Sequence, residues 1–350
     1  MKRRMIVAAA ASAALSLTAA RLHAQLPAGD LRLWLRADTL QLAEDAQVTQ
    51  WVDQSANGTV FAPRTTRWDG SPVEEFPHLQ TVTVNGRTFP TVSFERNGAL
   101  PSGDPAVDRS GNTDRLYQVN NLAPGSDPLA IADGTSMTSF TVFKPAVTTS
   151  GALGVQVVWG KRGNGASLIE LGIQPTGRLL HVSYDAFTTY QTQATIPANK
   201  WNVVEYSLTE QDPNDPVTFR SNSTEDPFAP LTNLPVPTNG GVIADRNDGI
   251  NEDPAGSLEP FGIGGHAQNC CGEGETFAGN IAEIIIYARA LSETERDQVY
   301  AYLTDKYLAI PEPAAALTAR RRCFGHQPQG LRTAAFNAEI MRREEDRMEQ

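Results

Sequence analysis

The run from Phe277 to Tyr307, FAGNIAEIIIYARALSETERDQVYAYLTDKY, constrains this chain more than any other stretch, because it reads in order as a buried strand, a tight turn and a capped helix. Simple alternation places Ile281, Ile285 and Tyr287 on one side of the strand and Ala282, Ile284 and Ile286 on the other. Both faces are apolar, as expected of a strand covered on both sides. Only Glu283 breaks the pattern. Ser292 followed by Glu295 forms a capping box, with Glu293 and Asp297 in the first helical turn and Lys306 in the last, which complements the helix dipole. Val299, Tyr302, Leu303 and Tyr307 then line one helical face, and that stripe needs a surface to rest on.

The rest of the chain supplies strands. With 28 Gly, 23 Pro and little helical periodicity before residue 291, it reads as short strands joined by turns. Residues 31–61 alternate well enough for two strands, with Trp34 and Trp51 as core anchors. Further strands are predicted at Thr81–Val84, Thr91–Phe94, Ser139–Phe143 and Val155–Trp159. Leu168–Ile173, Leu179–Tyr184, Thr189–Thr195 and Val203–Leu208 have the spacing of an antiparallel meander, with turns at Pro175–Gly177 and Pro197–Asn199. Residues 64–75, 97–133 and 211–260 are rich in Pro, Gly, Asp and Asn and read as long loops. No internal repeat points to a solenoid or propeller.

Two blocks carry a family resemblance. The closing run F-x-G-x-I-A-E-I-I-I-Y-x-R-A-L-S-x-x-E resembles the last segment of laminin-G-like jelly rolls, in the concanavalin A-like lectin/glucanase superfamily. Leu33-Trp34-Leu35-Arg36-Ala37-Asp38, then Trp51 to Gly58, then Asn85-Gly86 with Pro90, Val92 and Phe94, resemble that family's first strands. The resemblance implies an all-β, antiparallel two-sheet jelly-roll sandwich over residues 25–308, with a short C-terminal helix packed on it. It leaves function open, because this architecture carries lectins, glycosidases and adhesive modules alike.

The ends suggest export. Lys2, Arg3 and Arg4, an apolar run from Met5 to Leu17, and Leu22-His23-Ala24 make residues 1–24 a signal peptide. The apolar run is shorter than the roughly 20 residues needed to span a bilayer. The mature protein is thus expected to be secreted or associated with a bacterial cell envelope, with no stable membrane span. In residues 309–350, Pro311-Glu312-Pro313 followed by Ala314–Ala319 and Arg320–Arg322 resembles a PEP-CTERM sorting signal. The short apolar span and the long charged continuation equally suit a Pro/Ala linker and an Arg- and Glu-rich tail. Twenty-nine Lys and Arg against 40 Asp and Glu leave a net charge of −11, which argues against a nucleic-acid partner.

Candidate chemistry is sparse. Asp245, Asn247 and Asp253 alternate oxygen side chains around Gly249 as a calcium site would, and also as a solvated acidic loop would. Asp53 and Asn57 lie in a loop that, in calcium-binding relatives, meets an acidic residue of the closing strand. Ala282 takes that place with Glu283 beside it, so the resemblance gives Asp53, Asn57 and Glu283 as a second calcium set, and an Asx turn is the alternative. Cys270 and Cys271 can bridge each other or seek other partners, and similar turns in relatives favour the vicinal disulfide. Tyr184, Phe187 and Tyr190 offer an aromatic platform for a sugar ring, or core packing.

No strand carries the E-x-D-x-x-E carboxylates of glucanases on this fold. No G-x-S-x-G elbow or H-E-x-x-H helix is present. The expectation is therefore an exported, non-catalytic module that binds a glycan or another extracellular or cell-surface ligand with calcium as its candidate cofactor. An adhesive envelope protein recognising protein partners is the alternative from another class, and a divergent glycoside hydrolase is the third reading.

Overall fold

The computed structural model describes residues 26–63, 76–95, 114–122, 127–129, 136–146, 155–162, 168–183, 188–208, 217–222, 232–234, 260–265 and 276–308. In chain order the strands are β1 (Leu31–Arg36), β2 (Trp51–Val52), β3 (Val60–Ala62), β4 (His78–Val84), β5 (Arg87–Phe94), β6 (Leu116–Gln118), β7 (Met137–Pro145) and β8 (Gln156–Arg162). They continue with β9 (Leu168–Ile173), β10 (Arg178–Ser183), β11 (Thr188–Thr195), β12 (Asn202–Leu208), β13 (Val217–Ser221), β14 (Thr232–Leu234), β15 (Gly262–Ile263) and β16 (Gly279–Tyr287). Helix α1 (Glu293–Leu303) follows and runs into a π-helical turn, Thr304–Leu308.

These strands form two eight-stranded sheets, each antiparallel throughout, consistent with the expected β-sandwich jelly roll. One sheet runs β14-β13-β12-β7-β16-β5-β4, and the other β11-β10-β9-β8-β15-β6-β3-β2. Strand β16 lies inside the first sheet, flanked on both edges. One of its edges pairs with β7 along its whole length, while its other edge takes β5 at Gly279–Ile281 and then β1 at Glu283–Tyr287. The front and the back of the described chain therefore meet as neighbouring strands.

The closing strand is buried on both faces as the sequence predicts, but its alternation is not simple. The register against β7 shifts between Ile281 and Glu283, a β-bulge that turns two successive residues to one face. Ile281, Ile284 and Ile286 consequently point between the sheets with Leu33, Leu35, Trp51, Phe61 and Trp159. Ala282, Ile285 and Tyr287 point to the outer side with Phe140, Val142 and Val203. The face assignment by alternation from Ile281 is corrected by this one extra residue, and the bulge sets Glu283 facing outward beside Ala282.

Helix α1 covers that outer side. Leu291, Val299, Tyr302, Leu303 and Tyr307 pack on it, which gives the apolar stripe its surface. The capping box is complete: Ser292 Oγ accepts from the Glu295 amide at 3.4 Å, and Glu295 accepts from the Ser292 amide at 2.9 Å. Arg289 holds Glu295 from outside at 2.6 and 3.0 Å. Beneath the helix, buried Glu205 of β12 pairs with Arg220 of β13 and, at 3.3 Å, with Arg296 of α1.

Two further expectations are corrected. Strands β8 to β11 form the meander, but the next strand, β12, leaves it and pairs with β7 in the opposite sheet. Trp51 is a core anchor at 0% exposure, whereas Trp34, one residue out of phase with Leu33 and Leu35, lies on the outer side and packs with the helix layer.

Candidate functional site

Trp34 marks the edge of an open cleft of about 1000 Å³ where the chain's lead-in, β1 and the C-terminal turn meet. Leu26, Gly29 and Leu31 line it from the lead-in and the start of β1, and Trp34, Arg36 and Asp38 line it from the rest of β1 and the turn after it. Tyr302, Lys306 and Arg87, the last from the β4–β5 hairpin, complete the far side. The hairpin is set by Asn85 (φ 51°) and Gly86 (φ 77°), left-handed residues suited to a tight two-residue turn. Its Arg87 guanidinium reaches the carbonyls of Asp305 and Lys306 at the open end of the helix.

Glu283 underlies the cleft. It is fully buried, and a buried carboxylate is tolerated only when its charge is balanced and its oxygens accept hydrogen bonds. Trp34 Nε1 donates to Oε1 at 2.6 Å and the Tyr302 hydroxyl donates to the same oxygen at 2.9 Å. Lys306 Nζ and the Tyr307 hydroxyl donate to Oε2 at 2.7 and 2.5 Å. Residues 302, 306 and 307 reach one carboxylate because the helix and its π turn stack them on one face.

Charge is balanced outward from there. Lys306 also lies 3.2 Å from Asp38, and Arg36 grips Asp38 through two parallel bonds of 2.9 and 2.8 Å. Burial pushes the Asp38 carboxyl up, but the Arg36 hydrogen bond and the Lys306 and Arg36 charges outweigh it and hold the group below its ordinary range. Burial, reinforced by the Glu283 charge, pushes the Tyr302 hydroxyl well up, so it remains a donor at neutral pH. The Arg36 guanidinium sits 5.0 Å over the Trp34 ring, and Tyr302 meets that ring edge-on at 6.3 Å. Arg87 differs from the other two cations: among the described residues no carboxylate pairs with it. The cleft thus presents aromatic surface, a rigid Arg–Asp fork and a guanidinium held by backbone carbonyls within one opening.

Of the residues singled out in the sequence, Asp53 and Asn57 brace β1. Asp53 Oδ1 accepts from the Trp34 and Ser55 amides at 2.7 and 2.8 Å, and Asn57 Nδ2 donates to the Leu31 and Arg32 carbonyls at 3.2 and 3.0 Å. Glu283 is not gathered with them. Its oxygens face an ammonium and three neutral donors, and among the described residues no three His, Cys, Asp or Glu side chains group as a metal's ligands would. Asp245, Asn247, Asp253, Cys270, Cys271, Tyr184 and Phe187 lie outside the described residues. Tyr190 pairs with His181 between β10 and β11. Arg36, Asp38, Arg87, Tyr302 and Lys306 were not foreseen as a site. The available signal was the lone charge in β16, since a buried acid requires partners, and Tyr302, Lys306 and Tyr307 were the helix residues able to supply them.

No family model matches the chain, and no curated protein matches it. Among solved structures it is similar in part to a Trypanosoma rangeli sialidase in complex with sialic acid, at 14% identity and TM-score 0.41, over 82% of this chain and 35% of that one. It is also similar to the CBM40 of a Ruminococcus gnavus IT-sialidase bound to α2,3-sialyllactose, at 14% identity and TM-score 0.32, over 47% of this chain and 81% of that one. A third is botulinum neurotoxin type C, whose cell entry is dependent upon interaction with two ganglioside molecules, at 11% identity and TM-score 0.46, over 78% of this chain and 51% of that one. Such identities speak to fold alone, and the chain spans only about a third of the sialidase's length. The expectation that the protein is not an enzyme is corrected by these neighbours. Sialidases stand among them beside a binding module, so the non-catalytic assignment is withdrawn. No described helix is long and apolar enough to cross a membrane.

Proposed function

We propose that this protein binds carbohydrate in the cleft between β1 and the C-terminal turn. The observation that carries the reading is the pairing of an aromatic wall, Trp34 and Tyr302, with fixed hydrogen-bonding groups, Arg36, Asp38 and Arg87, in an opening of about 1000 Å³. A sugar ring has an apolar C–H face and a rim of hydroxyls, so it needs both kinds of surface at once. Polar groups held in place before binding lose little freedom when the sugar arrives.

A glycan array probed with the purified full chain tests it. The array should include lactose and both sialyllactoses, and it should be repeated with Trp34→Ala. Binding that disappears in the variant is the expected result, and silence of the wild-type protein on every glycan would overturn the reading. A chelator arm tests calcium at the acidic run holding Asp245, Asn247 and Asp253, where binding lost with chelator and restored by calcium is expected.

A further inference from the structure

We infer that Glu283 is the positioning residue of the cleft: it touches no ligand, but it fixes the two aromatic side chains that do. The inference rests on the carbohydrate reading and deepens it. The geometry is specific. Both ring-bearing residues donate to the same carboxylate oxygen, Trp34 Nε1 at 2.6 Å and the Tyr302 hydroxyl at 2.9 Å, from elements far apart in sequence. With the indole N–H and the phenol both tied to one atom, the edge-on angle of 75° between the rings is determined by the carboxylate rather than by ring packing alone.

The other oxygen is held by Lys306 and Tyr307, so the carboxylate cannot rotate without losing four donors together. Glu283 is buried on every side, which keeps this arrangement out of reach of solvent and of any ligand. The β-bulge in β16 is what turns Glu283 to this face, so it shapes the cleft from beneath. An amide keeps a single acceptor oxygen, and the Lys306 ammonium is its strongest claimant, so the NH2 turns to the side of Trp34 and Tyr302, where the indole, which can only donate, loses its tether.

The test uses the full chain and two probes, lactose and 3′-sialyllactose, followed through the indole N–H resonance of Trp34, assigned by its disappearance in Trp34→Phe. Glu283→Gln is expected to move that resonance upfield in the free protein and to weaken probe binding at least tenfold. Glu205→Gln is the control: it removes another fully buried carboxylate under the same helix, away from the cleft, and should lower the melting temperature while leaving affinity within twofold. Glu283→Gln binding a probe as the wild type does would overturn the positioning role and leave the cleft standing. Equal weakening in both variants would also overturn it, since it would trace to lost stability alone. If Glu283→Gln does not fold, the wild type decides: a probe that binds and shifts the Trp34 resonance supports the inference, and one that binds without shifting it refutes it. If neither probe binds, the glycan that scores on the array takes their place, and silence on the whole array overturns the carbohydrate reading and this inference with it.

Discussion

Replacing Lys306 with Met removes the one cation that, among the described residues, bonds to the Glu283 carboxylate, which is 0% exposed, and the structure sets the size of the effect. Leaving a buried charge without its partner costs about 3–5 kcal/mol in general. Here Trp34, Tyr302 and Tyr307 still donate to Glu283, and the Lys306 side chain is 18% exposed, so the expected loss straddles the lower end of that range, about 2–4 kcal/mol. Set against a net stability on the order of 5–15 kcal/mol, this is large. It corresponds to a fall in melting temperature of about 5–15 °C at roughly 2–4 °C per kcal/mol. Urea denaturation followed by tryptophan fluorescence measures it as a shifted midpoint with an unchanged slope. The companion variant Glu283→Gln and the double variant complete a cycle. Because the penalty of the Met substitution comes from the Glu283 carboxylate left without its ammonium partner, the double variant should recover about 1–3 kcal/mol relative to additivity. A Lys306→Met loss of less than about 0.5 kcal/mol, or strict additivity in the cycle, would refute the view that this ion pair anchors the turn to β16.

The remaining predictions concern the strand and helix that frame the cleft. Gly279 opens β16 at φ 147°, where an added Cβ collides with the Lys144 carbonyl oxygen and comes 2.9 Å from Pro145 Cα. Gly279→Ala should therefore cost about 3–5 kcal/mol from backbone strain and overpacking, read as a lowered urea midpoint. Ser292→Ala removes the N-cap side chain and should lower stability by about 1 kcal/mol in the same assay. Glu295 is held down to about 2 by Arg289 and then by the Ser292 amide and hydroxyl. Its folded value lies below its unfolded one, so its contribution is present above about pH 4.5 and lost as the pH falls through about 2. Because the side chain is 29% exposed and solvent screens the pair, the contribution is small and salt-sensitive, and the stability gap between wild type and Glu295→Gln should close across that window.

Much of the frame was legible because it depends on local rules. The double-sided burial of β16 follows from an unbroken apolar run, and the helix start follows from Ser292 and Glu295, which satisfy each other within four residues. The cleft depends on contacts at long range. Trp34 reaches Glu283 across a separation of 249 residues, and no pattern within either strand encodes that meeting. A bulge of one residue between Ile281 and Glu283 reverses which isoleucines face the core, and alternation carries no mark of it. Trp34 reads as a core residue by its size, yet its place between inward Leu33 and Leu35 sends it outward to the helix. The lone acid in β16 was the visible anomaly. Its meaning needed the partners that only the fold brings to it.

The most direct test is a crystal of the full chain soaked with a glycan that scores on the array. The account predicts sugar density seated against Trp34 and Tyr302, between Leu31 and Lys306, with hydroxyls or a carboxylate reaching Arg36, Asp38 or Arg87. Density on the opposite sheet, or on the segment from Tyr184 to Tyr190 with the cleft empty, would contradict it.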